Sequence, residues 1–139
     1  MEQLTLTPEQ MAEMVAHARV EYPHEACGLL GGWDGRVEKV YPLPNAERSP
    51  TRYLAEAQAQ VDAMVEIEEQ GWEIVAIYHS HPDSPAYPSA TDLEMAYYPD
   101  SLYFIISLAD RERPILRAFH IKEGQIEQVE VKVGDWRLQ

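Results

Sequence analysis

Apolar positions along the chain alternate between helical and strand-like spacing, and that alternation sets out the elements. Met11, Met14, Val15, Ala18 and Tyr22 share one helical face. Before them, Thr7-Pro8-Glu9-Gln10 reads as a helix start, with Thr7 as N-cap, Pro8 at the first helical position and Gln10 completing a capping box. Pro23 ends this helix. The segment "ACGLLGGWDGRVEKVYPLP" predicts a hairpin turning at Asp34-Gly35, with Val37, Val40 and Leu43 as the apolar positions of its second strand. Gly28, Gly31 and Gly32 in the first strand point to close approach by some other group. "NAERSPTRY" is a polar loop, followed by a helix over 55–70 with Val61, Met64, Val65 and Glu68 in series and Gly71 as its stop. "WEIVAIYHS" is continuously apolar until its end, which predicts a central strand buried on both faces. A helix starting near Ser89 and three β-rich runs, "LYFIISLA", "ILRAFHI" and "QIEQVEVKV", complete the chain. The order α, β, β, α, β, α, β, β, β predicts one α/β domain over 1–139, with a mixed, largely antiparallel sheet and helices on its faces.

Charge narrows the partners. Eleven basic residues against 24 acidic ones give a formal net charge of −13, which repels phosphate backbones and anionic lipid and so excludes nucleic acid and membrane surfaces as first choices. No apolar run reaches the ~20 residues of a membrane helix, and "MEQLTLTPEQ" lacks a basic segment leading into an apolar core, so a soluble cytoplasmic protein is expected. Cys27 is the only cysteine, which rules out an internal disulfide and a thiolate cluster. A metal here would have to be held by histidine and carboxylate.

"IYHSHPDSPAYPSATDLEMA" offers that donor set. Residues two apart in a strand project from the same face, so His79 and His81 can aim both imidazoles at one point where the central strand ends. Asp92 could be brought there by a proline-stiffened loop, and two histidines, a carboxylate and a water make the open tetrahedral site of hydrolytic zinc enzymes. The residues by themselves also suit plainer roles: His-x-His at an ordinary strand end, Ser89 as helix N-cap with Asp92 in the first turn, and prolines that only stiffen a surface loop. Spacing excludes other paired-histidine classes. His-x-His-x-Asp-His fails because Ser84 stands at its last position, the chain is short for a (β/α)₈ barrel of about 250 residues, and His24-Glu25 is followed by Gly28 where a His-Glu-x-x-His motif needs its second histidine.

Glu25, then "HSHP" from His79 to Pro82, six residues "DSPAYP", and "SATD" from Ser89 to Asp92 resemble the full motif of the JAMM (MPN+) zinc metalloprotease family. "HEACGLLGG" and "NAERSPTRY" are also similar to segments of small bacterial and archaeal members. The resemblance implies a single MPN (cytidine-deaminase-like) domain holding one Zn2+ through His79, His81 and Asp92. It implies Glu25 as general base and Ser89 as a hydrogen-bond donor to the tetrahedral oxyanion, and it assigns no role to Cys27, which suits a small buried strand residue.

The same resemblance implies hydrolysis of the amide bond after the C-terminal glycine of a ubiquitin-like or sulfur-carrier protein with a Gly-Gly tail. Release of cysteine from a carrier–cysteine adduct is the expected reaction, with removal of a small modifier from lysine as the alternative. A non-catalytic MPN scaffold would be expected to lose motif residues that this chain keeps, and a cell-wall or phage-tail peptidase module would be expected to carry a signal peptide or second domain.

Overall fold

The structure, a computed structural model, describes residues 3–134; the ends of the expected 1–139 domain lie outside the described residues. Its elements are β1 (Gln3–Leu6), α1 (Pro8–Glu21), β2 (Cys27–Trp33), β3 (Arg36–Leu43), α2 (Ala57–Glu69), β4 (Glu73–His81), α3 (Ala90–Glu94), β5 (Leu102–Ser107), β6 (Ile115–Lys122) and β7 (Gln125–Val133). The strands run β1-β3-β2-β4-β5-β6-β7 and close into a barrel. Pairing is mixed: β2–β3, β2–β4, β5–β6 and β6–β7 are antiparallel, while β4–β5 and both pairings of β1 are parallel.

The strand missing from the sequence reading is β1. Leu4 and Leu6 alternate inward and are fully buried, but four residues are too few for a period to stand out. The strand is held chiefly by β7, which it meets in register from Gln3–Glu130 to Leu6–Val133, and its ladder with β3 is the single pair Thr5–Arg36.

Two apolar clusters lie on opposite faces of the curled sheet. On one side Leu30, Val75, Tyr78, Phe104 and Ile106 pack with Met14 and Ala18 of α1; on the other Leu29, Ile77, Tyr103, Ile105 and Phe119 pack with Ala63 and Ile67 of α2. β4 and β5 supply alternate residues to both clusters, which is why their sequences are continuously apolar. The capping box of α1 forms as expected: Gln10 N–H donates to Thr7 Oγ1 (3.1 Å) and Thr7 N–H to Gln10 Oε1 (2.8 Å). Gln10 Nε2 also donates to the Val37 carbonyl at 2.9 Å, tying the helix start to β3. α2 sits rotated from its predicted face. Val61 and Val65 are half exposed, and Ala63 and Ile67 point inward, with Ile67 lying over Gly31, where the missing side chain leaves it space.

The strand glycines serve the sheet itself. A Cβ on Gly28 would stand 2.2 Å from the Tyr78 ring and 2.5 Å from the Tyr41 carbonyl, and one on Gly32 would stand 1.8 Å from the Arg36 carbonyl at the β2–β3 bulge. The close approach expected at these glycines is met by the protein's own backbone and side chains. The turn at Asp34-Gly35 has both residues at positive φ, as a tight hairpin requires.

Candidate metal centre

The centre forms where β4 ends. His79 and His81 project from the face that carries the second apolar cluster, and β2 runs antiparallel beside them with Cys27 opposite His79. Reciprocal bonds hold the next step of this ladder: Ser80 N–H donates to the Ala26 carbonyl (2.9 Å), and Ala26 N–H to Ser80 Oγ (2.7 Å). One more step in that register sets Glu25 across from His81.

After Pro82 the chain loops out and returns. His81 Nδ1 donates to the Pro85 carbonyl at 2.7 Å, Ser107 Oγ donates to the Ser84 carbonyl at 2.6 Å, and Ala86 is buried. Ser89 then caps α3 in a second capping box, with Asp92 N–H donating to Ser89 Oγ (3.1 Å) and Ser89 N–H to Asp92 Oδ2 (2.9 Å). The cap fixes Asp92 one turn into the helix and turns its carboxylate toward the histidines. Nε2 of His79, Nε2 of His81 and Oδ2 of Asp92 lie 2.9–3.1 Å apart in a closed triangle. His79, His81 and Asp92 are 1%, 2% and 6% exposed, and Glu25 is 3% exposed.

The donor set fits a divalent cation. In the neutral form of His81, with its Nδ1 proton given to Pro85, Nε2 presents a lone pair to a carboxylate oxygen and to a second imidazole nitrogen, and one shared proton cannot satisfy all three. A cation can. The 2.9–3.1 Å separations are also close to the ~3.3 Å edge of a tetrahedron with zinc-to-ligand bonds of ~2.0–2.1 Å. Among the described residues His79, His81 and Asp92 are the group of three placed to hold an ion.

Protonation follows the same geometry. Burial would raise the Asp92 carboxyl, but hydrogen bonds with His79 and His81 outweigh it and hold the group well below the usual carboxylate range. Burial also lowers His79, whereas His81 is held up by Asp92 and the Pro85 carbonyl against its own burial. Glu25 is pushed up to about 8, chiefly by burial, with attraction to His81 opposing and Asp92 adding. Its Oε1 is buried without a hydrogen-bond partner, as is Nδ1 of His79. A carboxyl of this kind, beside a triad that suits a cation, can accept and release a proton near neutral pH.

Sequence reasoning overlooked residues of the "NAERSPTRY" loop. The Tyr53 ring stacks on His79 at a centroid distance of 4.7 Å and an angle of 21°, and the buried Asn45 side chain bonds to the Glu25 carbonyl. Nothing in their local spacing marks either residue. Beside them an apolar cavity of about 140 Å³ is lined by Cys27, Tyr53, Met64, Ile77 and Tyr103, with the exposed Tyr97 also on its wall.

Residues 7–122 match the family of prokaryotic homologues of the JAB domain. The chain is 40% identical over 132 residues to the CysO-cysteine peptidase of Mycobacterium tuberculosis, covering 94% of this chain and 90% of that one. It is 42% identical over 118 residues to the probable TtuB-protein conjugate cleaving protease of Thermus thermophilus, covering 83% of this chain and 74% of that one. The solution structure of protein DSY2949 from Desulfitobacterium hafniense superposes with a TM-score of 0.86 at 41% identity, over 94% of this chain and 92% of that one.

Proposed function

The chain belongs to the family of prokaryotic homologues of the JAB domain, and from that premise we propose that it is a zinc-dependent peptidase acting on a ubiquitin-like or sulfur-carrier protein. The carrying observation is the buried triangle of His79 Nε2, His81 Nε2 and Asp92 Oδ2 with the Glu25 carboxyl beside it. These three atoms would hold Zn2+, which when bound supplies a Lewis acid and a water whose pKa is lowered toward ~7. Glu25 takes the proton of the attacking water on its carboxylate and delivers it to the leaving amine. Ser89 Oγ already accepts from the Asp92 amide, which leaves its own proton free to donate to the developing oxyanion. Asp92, held by its cap, and His81, held by Pro85, keep the ligand set in place.

The bond cleaved is the amide after the C-terminal Gly-Gly of the carrier, and the released group is cysteine. The mycobacterial relative, whose name specifies a cysteine adduct and which aligns along nearly the whole chain, supports this choice. The Thermus relative, named for cleaving protein conjugates, supports removal of the carrier from lysine as the second reading. Comparing kcat/KM for a folded carrier–cysteine adduct, a carrier–lysine conjugate and a free Gly-Gly-Cys peptide separates them. The adduct is expected to be fastest and the peptide slowest, because the peptide lacks the remote binding energy of the folded carrier. Faster cleavage of the lysine conjugate would move the function to modifier removal, and equal rates on all three would remove carrier recognition.

A further inference from the structure

The Glu25 carboxyl is a poor anchor for itself. Its Oε1 has no partner, and Glu25 lies two residues before β2, outside the regular ladder. Where the carboxyl stands is therefore decided by the backbone that carries it. Both backbone groups of Glu25 are held by the loop after β3: its N–H donates to the Ser49 carbonyl at 2.8 Å, and its carbonyl accepts from Asn45 Nδ2 at 3.0 Å.

Asn45 is the centre of that loop. Its second Nδ2 bond goes to the Arg52 carbonyl at 3.0 Å, and its Oδ1 accepts from the amides of Glu47 (3.0 Å) and Leu54 (2.9 Å). Two donors and two acceptors are all used, by a residue only 8% exposed. Aspartate has no protons for the two carbonyls, and serine could reach only part of the set. Arg52 and Leu54 flank Tyr53, so the same carboxamide fixes the peptide groups on both sides of the ring that stacks on His79. That ring matters because metal-bound histidines are ordinarily oriented by a hydrogen bond at the second nitrogen. His79 Nδ1 has none, and packing against Tyr53 takes its place.

We infer that Asn45 is a positioning residue of this centre: its carboxamide ties the Glu25 backbone and the Tyr53 peptide groups into one unit, and thereby sets the base and the His79 ring relative to each other. The inference rests on the function proposed above, since it acts through the base and a metal ligand. The loop has other backbone support, from Ala46 N–H to the Leu54 carbonyl (2.7 Å) and Glu56 N–H to the Pro44 carbonyl (2.9 Å), so removing the carboxamide should loosen the site without unfolding the chain.

The test uses the full chain as wild type, Asn45→Ala, Asn45→Asp, Glu25→Gln and the Glu25→Gln/Asn45→Ala double variant. Turnover is measured on the carrier–cysteine adduct under saturating zinc, with single-turnover conditions for slow variants, and zinc affinity by chelator competition. Asn45→Ala should lower kcat ~10–100-fold with KM changed by less than about 3-fold, the signature of a misplaced group and not of lost binding. Zinc affinity should fall ~10-fold through the Tyr53 arm. In the Glu25→Gln background the kcat loss should shrink to within about 2-fold while the zinc effect persists, because only the first passes through Glu25. Asn45→Asp, which keeps both acceptors, should behave like Asn45→Ala, and it carries the same comparison if Asn45→Ala is poorly folded. Faster amide exchange at Glu25 in the metal-free Asn45→Ala protein, by ~10-fold or more, is expected independently of metal and substrate. Unchanged Glu25 exchange, wild-type kcat in Asn45→Ala, or an equal kcat loss in both backgrounds would each overturn the inference. Wild-type turnover by Glu25→Gln would instead overturn the assignment of the base, leaving the exchange result to judge Asn45.

Discussion

Glu25 and His81 face each other across the end of two strands, and they should fail differently when altered. Glu25→Gln keeps the side chain's size and removes only its capacity to take a proton, so it should retain one zinc per chain and lose ~10²–10⁴-fold in kcat. His81→Ala removes one corner of the donor triangle and should lose the metal together with activity. Elemental analysis alongside turnover distinguishes the two, and near wild-type turnover by Glu25→Gln would mean the base is another group. Cys27, two pairs along the same ladder opposite His79, has a different character. It is buried, and burial with the nearby charges of Glu21 and Glu25 pushes its thiol up to about 12. The folded protein should therefore resist alkylation at pH 8, where the group is fully protonated, and react readily once unfolded. Mass spectrometry after brief iodoacetamide treatment, with and without urea, checks this; rapid native labelling would contradict the burial.

At the level of elements, short-range signals and close approach hold β2, β3 and α1 together. Gly32 sits where the Arg36 carbonyl crosses the β2–β3 bulge, and a Cβ there would meet backbone that cannot swing aside as a side chain might. Gly32→Ala should cost ~3 kcal/mol or more, at or beyond the usual range for overpacking. Thr7→Ala should cost ~1 kcal/mol, the usual value for a lost N-cap, because the Gln10 amide then loses its acceptor while the rest of α1 stays packed. Chemical denaturation of both variants should show the glycine substitution as clearly the more damaging, and a milder effect at Gly32 than at Thr7 would refute the crowding. The capping box at Thr7 and the N-cap at Ser89 were legible from sequence because the groups involved lie within four residues; that Asp92 also reaches back to close a box at Ser89 came from the structure. The face of α2 was not: Val61 and Val65 fit a helical stripe as well as Ala63 and Ile67, and contacts made only in the folded sheet, Ile67 over Gly31 among them, go with the second pair turned inward.

For the whole molecule, the two apolar clusters on either side of the closed sheet are built without His79, His81 or Asp92. Chelation should abolish hydrolysis while far-ultraviolet dichroism stays native, and zinc should restore activity. Collapse of the fold on chelation would mean the centre is structural. A formal net charge of −13 also predicts that a carrier with a basic face is drawn in electrostatically. Raising salt from low to physiological ionic strength should lower kcat/KM on the folded adduct and leave kcat nearly unchanged, since exposed charges act on encounter and are screened beyond ~8–10 Å. Insensitivity to salt would indicate a carrier surface read by apolar contact.

The sequence by itself determined the periodic and local features: α1 with its cap, the hairpin at Asp34-Gly35, the doubly buried β4, and a motif whose spacing pointed to His79, His81, Asp92, Glu25 and Ser89. These depend on residues near one another in the chain, or on a resemblance that spans the gaps between them. Tertiary structure decided what joins distant segments. It paired β1 with β7 to close the barrel, gave the strand glycines to Tyr78 and the Arg36 carbonyl, and laid Tyr53 on His79 with Asn45 behind Glu25. An asparagine in a polar loop carries no sign of its four partners, because those partners are backbone groups, and backbone groups are the same in every residue until the fold brings particular ones within 3 Å.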